Sequence, residues 1–217
     1  KVVAKITLTP GYTTTGLVQF NDAYDLGVPA DATALSFYGE ALLNGEAVSN
    51  VQFIGYANNT IVCLNNINHA GQILTIKAGS LIYYGDKAVV VNETFNAIWN
   101  GSTWMNVVGE NSLTPGYNTD ALVQFTGFYD FGVPNSDTEL LFQGTVLLNG
   151  NPATEGDDFH FVGYPSDTTI CIKLTNAATD GTTVTIKAGS LVGYGNKAVL
   201  INSDLSAIYN GGWTLNQ

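Results

Sequence analysis

The sequence predicts an all-β chain of two tandem antiparallel β-sandwich domains, Ig-like or jelly-roll-like, produced by an internal duplication. Three observations carry this. Thr75–Gly101, TIKAGSLIYYGDKAVVVNETFNAIWNG, recurs in register as Thr185–Gly211, TIKAGSLVGYGNKAVLINSDLSAIYNG. At its start Leu74, Ile76 and Ala78 alternate with Thr75 and Lys77, the two-residue period of a half-buried strand. Turn dipeptides also punctuate both copies at matched places, and no helical period of comparable strength competes with them.

In chain order, Val2-Val3 and Val107-Val108 open the two copies, 1–105 and 106–217. Leu8–Tyr12 and Leu113–Tyr117 both read LTPGY, and their Pro-Gly step predicts a tight turn. LVQF follows as a strand at Leu17–Phe20 and Leu122–Phe125. Tyr24–Pro29 and Tyr129–Pro134 end in proline, which has no N–H and should stop ladder pairing. Leu35–Leu43 and Leu140–Leu148 are the next strands, running into Asn44-Gly45 and Asn149-Gly150. Asn-Gly supplies the positive φ angles of a type I′ hairpin turn.

Copy two then carries a longer loop around Glu155–Asp158, and the register recovers at Phe53–Tyr56 and Phe161–Tyr164. A cysteine-bearing strand, a polar loop and the repeated stretch follow. Within that stretch Gly85-Asp86 reads as a turn and Ala88–Val91 as an apolar strand. Asn100-Gly101 and Asn210-Gly211 predict a second type I′ hairpin that closes each module. The pattern is that of about eight short strands per copy. No Pro/Gly/Ser linker separates the copies: Trp104 is followed by Met105-Asn106 and then by the first strand of copy two. A stiff tandem rod is the expectation.

Composition narrows the function. The 217 residues include seven basic residues, all lysine, against 18 acids, for a net charge of −11. Copy one holds seven acids and four lysines, net −3; copy two holds eleven and three, net −8. An arginine-free acidic surface repels phosphate backbones and anionic lipid, which speaks against nucleic-acid and membrane-surface partners. No stretch approaches the roughly 18 apolar residues of a membrane span. With 45% hydrophobic and only 12% charged residues, the polar surface must be largely Asn, Thr, Ser, Gly and Tyr, which suits an extracellular or cell-surface protein. Lys1 shows neither an initiator Met nor a signal-peptide pattern, so the chain reads as a segment of something longer. Cys63 and Cys171 occupy equivalent apolar strands and read as buried structural thiols.

For catalysis the sequence offers little. The two histidines, His69 and His160, are not equivalent, and no metal-site, P-loop, dinucleotide or nucleophile-elbow spacing is present. Asp25/Asp130 is the clearest acid shared by both copies, and a lone carboxylate before Gly-Val-Pro reads as a turn cap. Asp31 and Asp137 follow closely, yet the dense acids of a calcium loop are missing. The expectation is a non-enzyme with neither cofactor nor metal.

Matched aromatics are the better lead. Tyr12/Tyr117, Tyr56/Tyr164 and Tyr84/Tyr194 each lie close to glycine in both copies, and aromatic faces stack on sugar rings while Asn, Gln and Asp bond their hydroxyls. These six are the candidate ligand-binding residues, with a polymeric glycan as partner. Tyr24/Tyr129 is matched too, whereas Trp104/Trp213 reads as core. Lys77/Lys187 and Lys87/Lys197 read as solvated strand lysines that blunt edges, although Asn92/Asn202 lies near enough to raise a Lys–Asn isopeptide bond. Three Asn-x-Ser/Thr sites, Asn58, Asn92 and Asn100, all fall in copy one. End-to-end self-association is the other candidate partnership.

The repeated pattern of IKAGS, YG, IWNG or IYNG and a following Trp resembles the β-sandwich modules strung along large secreted surface proteins of Gram-positive bacteria. The resemblance covers both copies. It implies an extracellular adhesion or carbohydrate-binding tandem, or alternatively a structural spacer or self-assembling repeat of a surface filament or stalk. It transfers no catalytic residue.

Overall fold

The computed structural model describes residues 2–6, 16–20, 26–57, 61–110, 114–126, 131–165 and 169–217. Tyr12, Tyr24, Asp25, Asn58, Tyr129 and Asp130 lie outside the described residues. Every regular element among the described residues is a strand, and the chain divides into two compact units, Lys1–Asn106 and Val107–Gln217. Each unit is a β-sandwich.

Unit one contains β1 (Val2–Ile6), β2 (Leu17–Phe20), β3 (Thr33–Tyr38), β4 (Ala41–Leu43), β5 (Glu46–Ala47) and β6 (Gln52–Gly55). It continues with β7 (Ile61–Leu64), β8 (Ile73–Ile76), β9 (Leu81–Tyr84), β10 (Lys87–Val91) and β11 (Phe95–Trp99). The boundary between the units falls inside β12 (Trp104–Glu110). One sheet has the order β1-β10-β9-β3-β6-β7-β2, with β1 and β10 parallel. The facing sheet places β8 between β11 and β4. Phe53, Leu74, Ile82, Val89 and Trp104 fill the space between them.

Unit two contains β13 (Thr114–Gly116), β14 (Leu122–Thr126), β15 (Thr138–Glu139), β16 (Leu141–Gln143), β17 (Val146–Leu148) and β18 (Asn151–Pro152). β19 (Phe159–Tyr164), β20 (Thr169–Leu174), β21 (Thr183–Ile186), β22 (Leu191–Tyr194), β23 (Lys197–Leu200), β24 (Leu205–Tyr209) and β25 (Trp213–Leu215) complete it. The strands β13-β14-β20-β19-β15 and β16-β22-β23 occupy the place of the first sheet, and β18-β17-β21-β24-β25 forms the second. Phe125, Phe142, Phe159, Phe161, Ile172 and Trp213 lie in its core.

The long strands expected at Leu35–Leu43 and Leu140–Leu148 are broken, and the break explains the repeated Ala-Gly-Ser. β3 pairs with β6 through Thr33–Leu35 and with β9 through Ser36–Tyr38. At Gly39 the chain then crosses to the other sheet, where β4 pairs with β8. The return crossing, from β8 to β9, passes through Ala78-Gly79-Ser80. The two crossings touch: the Glu40 N–H donates to Ser80 Oγ at 3.3 Å, and Lys77 N–H donates to the Glu40 carbonyl at 3.0 Å. Unit two repeats this with Thr145 N–H to Ser190 Oγ at 3.2 Å and Lys187 N–H to the Thr145 carbonyl at 2.9 Å. Only glycine fits beneath the serine, because a Cβ on Gly39 or Gly144 would stand 2.2 Å from that hydroxyl oxygen.

The hairpins at Asn44-Gly45 and Asn149-Gly150 have positive φ at both corners, 52° and 82° in unit one and 50° and 80° in unit two, as a type I′ turn requires. The asparagines also reach out of the turn. Asn44 exchanges two 2.9 Å bonds with the Ile73 backbone, and Asn149 does the same with Thr183.

Three sequence expectations need correction. Asn100-Gly101 is not a type I′ turn: Trp99 pairs with Trp104, leaving a four-residue loop in which Asn100 Oδ1 accepts from the N–H groups of Ser102 and Thr103 at 2.9 and 2.8 Å. In unit two Tyr209 pairs with Trp213, so that hairpin has three loop residues. In unit one the asparagine side chain that bonds its own loop replaces the two-residue corner, whereas in unit two Gly211 N–H donates to Asp180 Oδ1 at 3.0 Å. The Pro-Gly step of copy two is a strand and not a turn, since Pro115 lies opposite Phe125. β13 is an edge strand, where a missing N–H leaves no neighbour unpaired. Thr75, expected to face water, is 8% exposed, with its hydroxyl donating to Asn96 Oδ1 on the neighbouring β11 at 2.7 Å.

Candidate ligand-binding surfaces

The matched tyrosines occupy different surroundings. Tyr84 and Tyr194 lie beside the turns that follow β9 and β22, half-buried, and each packs against the core of its own unit. Tyr56 is half-buried after β6. Tyr164, at the end of β19, donates its hydroxyl to Asp137 Oδ1 at 2.6 Å, and Lys173 Nζ stands 3.7 Å from the same oxygen. That hydrogen bond, then burial and the Asp137 charge, push the phenol well above its ordinary range. Tyr117 is 48% exposed, with a φ of 107° that non-glycine residues rarely adopt. Thus Tyr164, Asp137 and Lys173 meet in unit two. Copy one has Ala32 where copy two has Asp137, so the cluster is not duplicated.

The tryptophans belong to the cores. Trp104 Nε1–H donates to the Leu17 carbonyl at 3.1 Å and Trp213 Nε1–H to the Thr119 carbonyl at 3.0 Å. Trp99 and Tyr209 pack against them with ring centroids 5.6 and 5.3 Å away. Cys63 and Cys171 are buried free thiols, and burial pushes each up to about 12.

Lys187 pairs with Asp204, whose other oxygen accepts from Ala188 N–H at 2.9 Å. The ammonium and that N–H hold the Asp204 carboxyl below its usual range. In unit one a hydroxyl replaces the acid, as Ala78 N–H donates to Thr94 Oγ1 at 3.1 Å. Asp31 anchors a loop by accepting from Ala57 N–H at 3.0 Å. Among the described residues, no three His, Cys, Asp or Glu side chains gather as a metal site would need.

Two surfaces were missed by the search for matched residues. On unit one, Tyr38 and Tyr83 are 73% and 36% exposed. With Leu81, Gly85, Asp86, Lys87 and Ala88 they line a recess of about 340 Å³. Copy two has Gln143 and Gly193 at their positions, so a comparison of copies passes over them. The signal was local: Tyr38 alternates with Phe37, and Tyr83 with Ile82, along strands with one inward face.

The second surface lies where β3 leaves β6 for β9. Unit one has there a groove of about 580 Å³ over Leu35, Phe37, Val51 and Phe53, with the two phenyl rings stacked at 4.9 Å. Unit two has one of about 530 Å³ at the corresponding place, over Leu140 and Phe142 but rimmed by Glu139, Glu155 and His160. Partial burial, then the Glu139 charge, raise the Glu155 carboxyl, and His160 opposes them. The apolar floor repeats and the charged rim does not.

No family model matches the chain, and no curated protein does. Among solved structures, the I9–I11 tandem from titin aligns over 94% of this chain at 11% identity and a TM-score of 0.29. The I-band fragment I67–I69 from titin aligns over 91% at 10% identity and a TM-score of 0.18. The chain covers 64% of the first of those chains and 62% of the second. No helix among the described residues is long and apolar enough to cross a membrane.

Proposed function

We propose that the chain is a non-catalytic structural tandem, two modules of a repeat that spaces or assembles a larger extracellular surface protein. One observation carries this: what the two modules share is scaffold. The Gly39–Ser80 and Gly144–Ser190 corners and the Asn44 and Asn149 turns recur with equivalent partners, and Trp104 and Trp213 both stay buried with the indole N–H on a main-chain carbonyl. The exposed clusters do not recur: Tyr38 and Tyr83 are Gln143 and Gly193 in copy two, and Asp137 beside Tyr164 is Ala32 in copy one. A ligand site duplicated with its module would keep its exposed residues, whereas a load-bearing or spacing module need keep only its core and corners. The arginine-free, hydroxyl- and amide-rich composition supports placement outside the cell, and the boundary inside β12 supports a short connection.

Force spectroscopy on the full chain, held at its two ends, tests the reading. A spacer should give two separate unfolding events, each releasing about 350–400 Å of contour, the reach of a unit's chain length at ~3.3–3.6 Å per residue. A single event, or extension without a force peak, would sink it. Light scattering across a concentration series separates the two versions of the reading, because a self-assembling repeat grows with concentration and a spacer does not.

A further inference from the structure

We propose that the outward face of β3 and β9 in unit one is a binding site for a neutral oligosaccharide, built on Tyr38 and Tyr83. The inference goes beyond the spacing function and does not rest on it. It begins with register. Ser36 lies opposite Tyr83, and Tyr38 opposite Leu81, so the two tyrosines are diagonal neighbours on one face of the sheet. Diagonal positions stand about 7–8 Å apart, close enough for rings to form one surface. The alternate residues, Phe37 and Ile82, point the other way and pack in the core. The exposed rings are therefore spare to the fold.

The backbone beneath them is firmly held. β9 is paired on both sides, to β10 through Leu81–Tyr84 and to β3 through Leu81–Tyr83. Tyr83 thus stands on backbone paired on both sides and Tyr38 on backbone paired to β9, so no main chain has to be ordered when a ligand arrives, which favours binding. The recess of about 340 Å³ falls in the usual range for small-ligand sites.

Its chemistry selects the occupant. The rings offer apolar faces with phenolic tips, and Asp86 in the lining adds an acceptor. Lys87, opposite Tyr84 in the ladder, shares the other face and holds its ammonium near Gly27. A pyranose presents the complement: C–H groups on its flat face and hydroxyls around its edge. A polyanion is disfavoured, since unit one is acidic and the rim adds no net positive charge. A purely apolar segment would strip the two phenols of water and give them no hydrogen bond in return. Gln143 and the buried Gly193 replace the two rings in unit two, so the site exists once per chain and unit two is its internal control.

The full chain is titrated with cellohexaose, xylohexaose, mannohexaose, laminarihexaose, maltohexaose and chitohexaose, followed by amide NMR shifts and calorimetry. At least one neutral hexasaccharide should bind at one per chain, with shifts centred on β3, β9 and the Gly85-Asp86 turn. Tyr38→Ala and Tyr83→Ala should each weaken binding about fivefold to 150-fold, the equivalent of ~1–3 kcal/mol of stacking per ring. Tyr38→Trp, which keeps an aromatic face, should retain it, and Gln143→Ala should change nothing. Circular dichroism confirms that each variant is folded. The proposal is overturned if no hexasaccharide moves the shifts at millimolar concentration, or if binding survives both alanine substitutions. A stoichiometry of two overturns it as well. So does concentration-dependent self-association that Tyr38→Ala abolishes, because the face would then belong to a second copy.

Discussion

Replacing Gly144 with alanine isolates the corner that joins the two sheets of unit two. A Cβ there would stand 2.2 Å from Ser190 Oγ, 2.5 Å from its Cβ and 2.7 Å from its Cα. The last of these is main chain, so rotating the serine cannot relieve it. Overpacking of this kind costs ~1–3 kcal/mol, and a φ of 141° at a non-glycine residue adds ~1–3 kcal/mol of strain. Together they predict a loss of about 2–6 kcal/mol. For a module of this size one kcal/mol moves the midpoint by about 4 °C, so unit two should melt about 10–25 °C lower. Calorimetry of the full chain reads this, with unit one as reference. Gly150→Ala is the control: its φ is 80° but nothing lies within 4 Å, so it should lose only ~1–2 kcal/mol from strain. Adding Ser190→Gly to Gly144→Ala removes two of the three obstructions and should restore ~1 kcal/mol or more. If Gly144→Ala is no worse than Gly150→Ala, or the second substitution restores nothing, the corner does not act through this contact.

Two further outcomes follow from the same structure. Asn149→Ala should cost about 1–2 kcal/mol, since it removes the acceptor for Thr183 N–H while keeping a positive φ. Asn149→Gly should cost less because it relieves the φ strain, and equal losses in urea titrations would count against that division. Burial sets the Cys63 thiol near 12, against about 9 in the unfolded chain. The native state therefore holds this proton more tightly. The stability linked to it is complete below about pH 9 and is lost as pH rises towards 12, by up to roughly 4 kcal/mol. Urea midpoints measured from pH 8 to 11 should fall less steeply in Cys63→Ala. A thiol reagent should label wild type only on unfolding, and rapid labelling of the native protein would refute the burial argument.

The fold was legible because its signals are local. The period of two along Leu74–Ile76, the Asn-Gly corners at 44–45 and 149–150 and the paired tryptophans each act within a few residues or on a single face. Nothing in the run Leu35–Leu43 shows that the strand breaks at Gly39, because the cause is Ser80, forty-one residues on, whose hydroxyl sits where a Cβ would be. The repeat marked both partners, but it did not reveal that they meet. Asn100-Gly101 misled for the opposite reason. The dipeptide permits a type I′ corner, yet Asn100 gains two backbone donors by bonding its own loop, and that widens the hairpin.

The candidate site was less legible, and the duplication itself is the reason. Matching the copies selects residues that both modules need, and a residue needed in every module is usually needed for folding. Tyr84 and Tyr194 illustrate this, since both rings are used in packing. A feature that one module acquired separately stands where the copies differ. Tyr38 against Gln143 and Tyr83 against Gly193 are such differences, as is the Glu139–Glu155–His160 rim over a groove that is otherwise shared. In a tandem repeat the matched positions therefore report the scaffold. Specific recognition is better sought among exposed, unmatched side chains on paired strands, which makes the single face of Tyr38 and Tyr83 a sharper candidate than the core-packed pair Tyr84 and Tyr194.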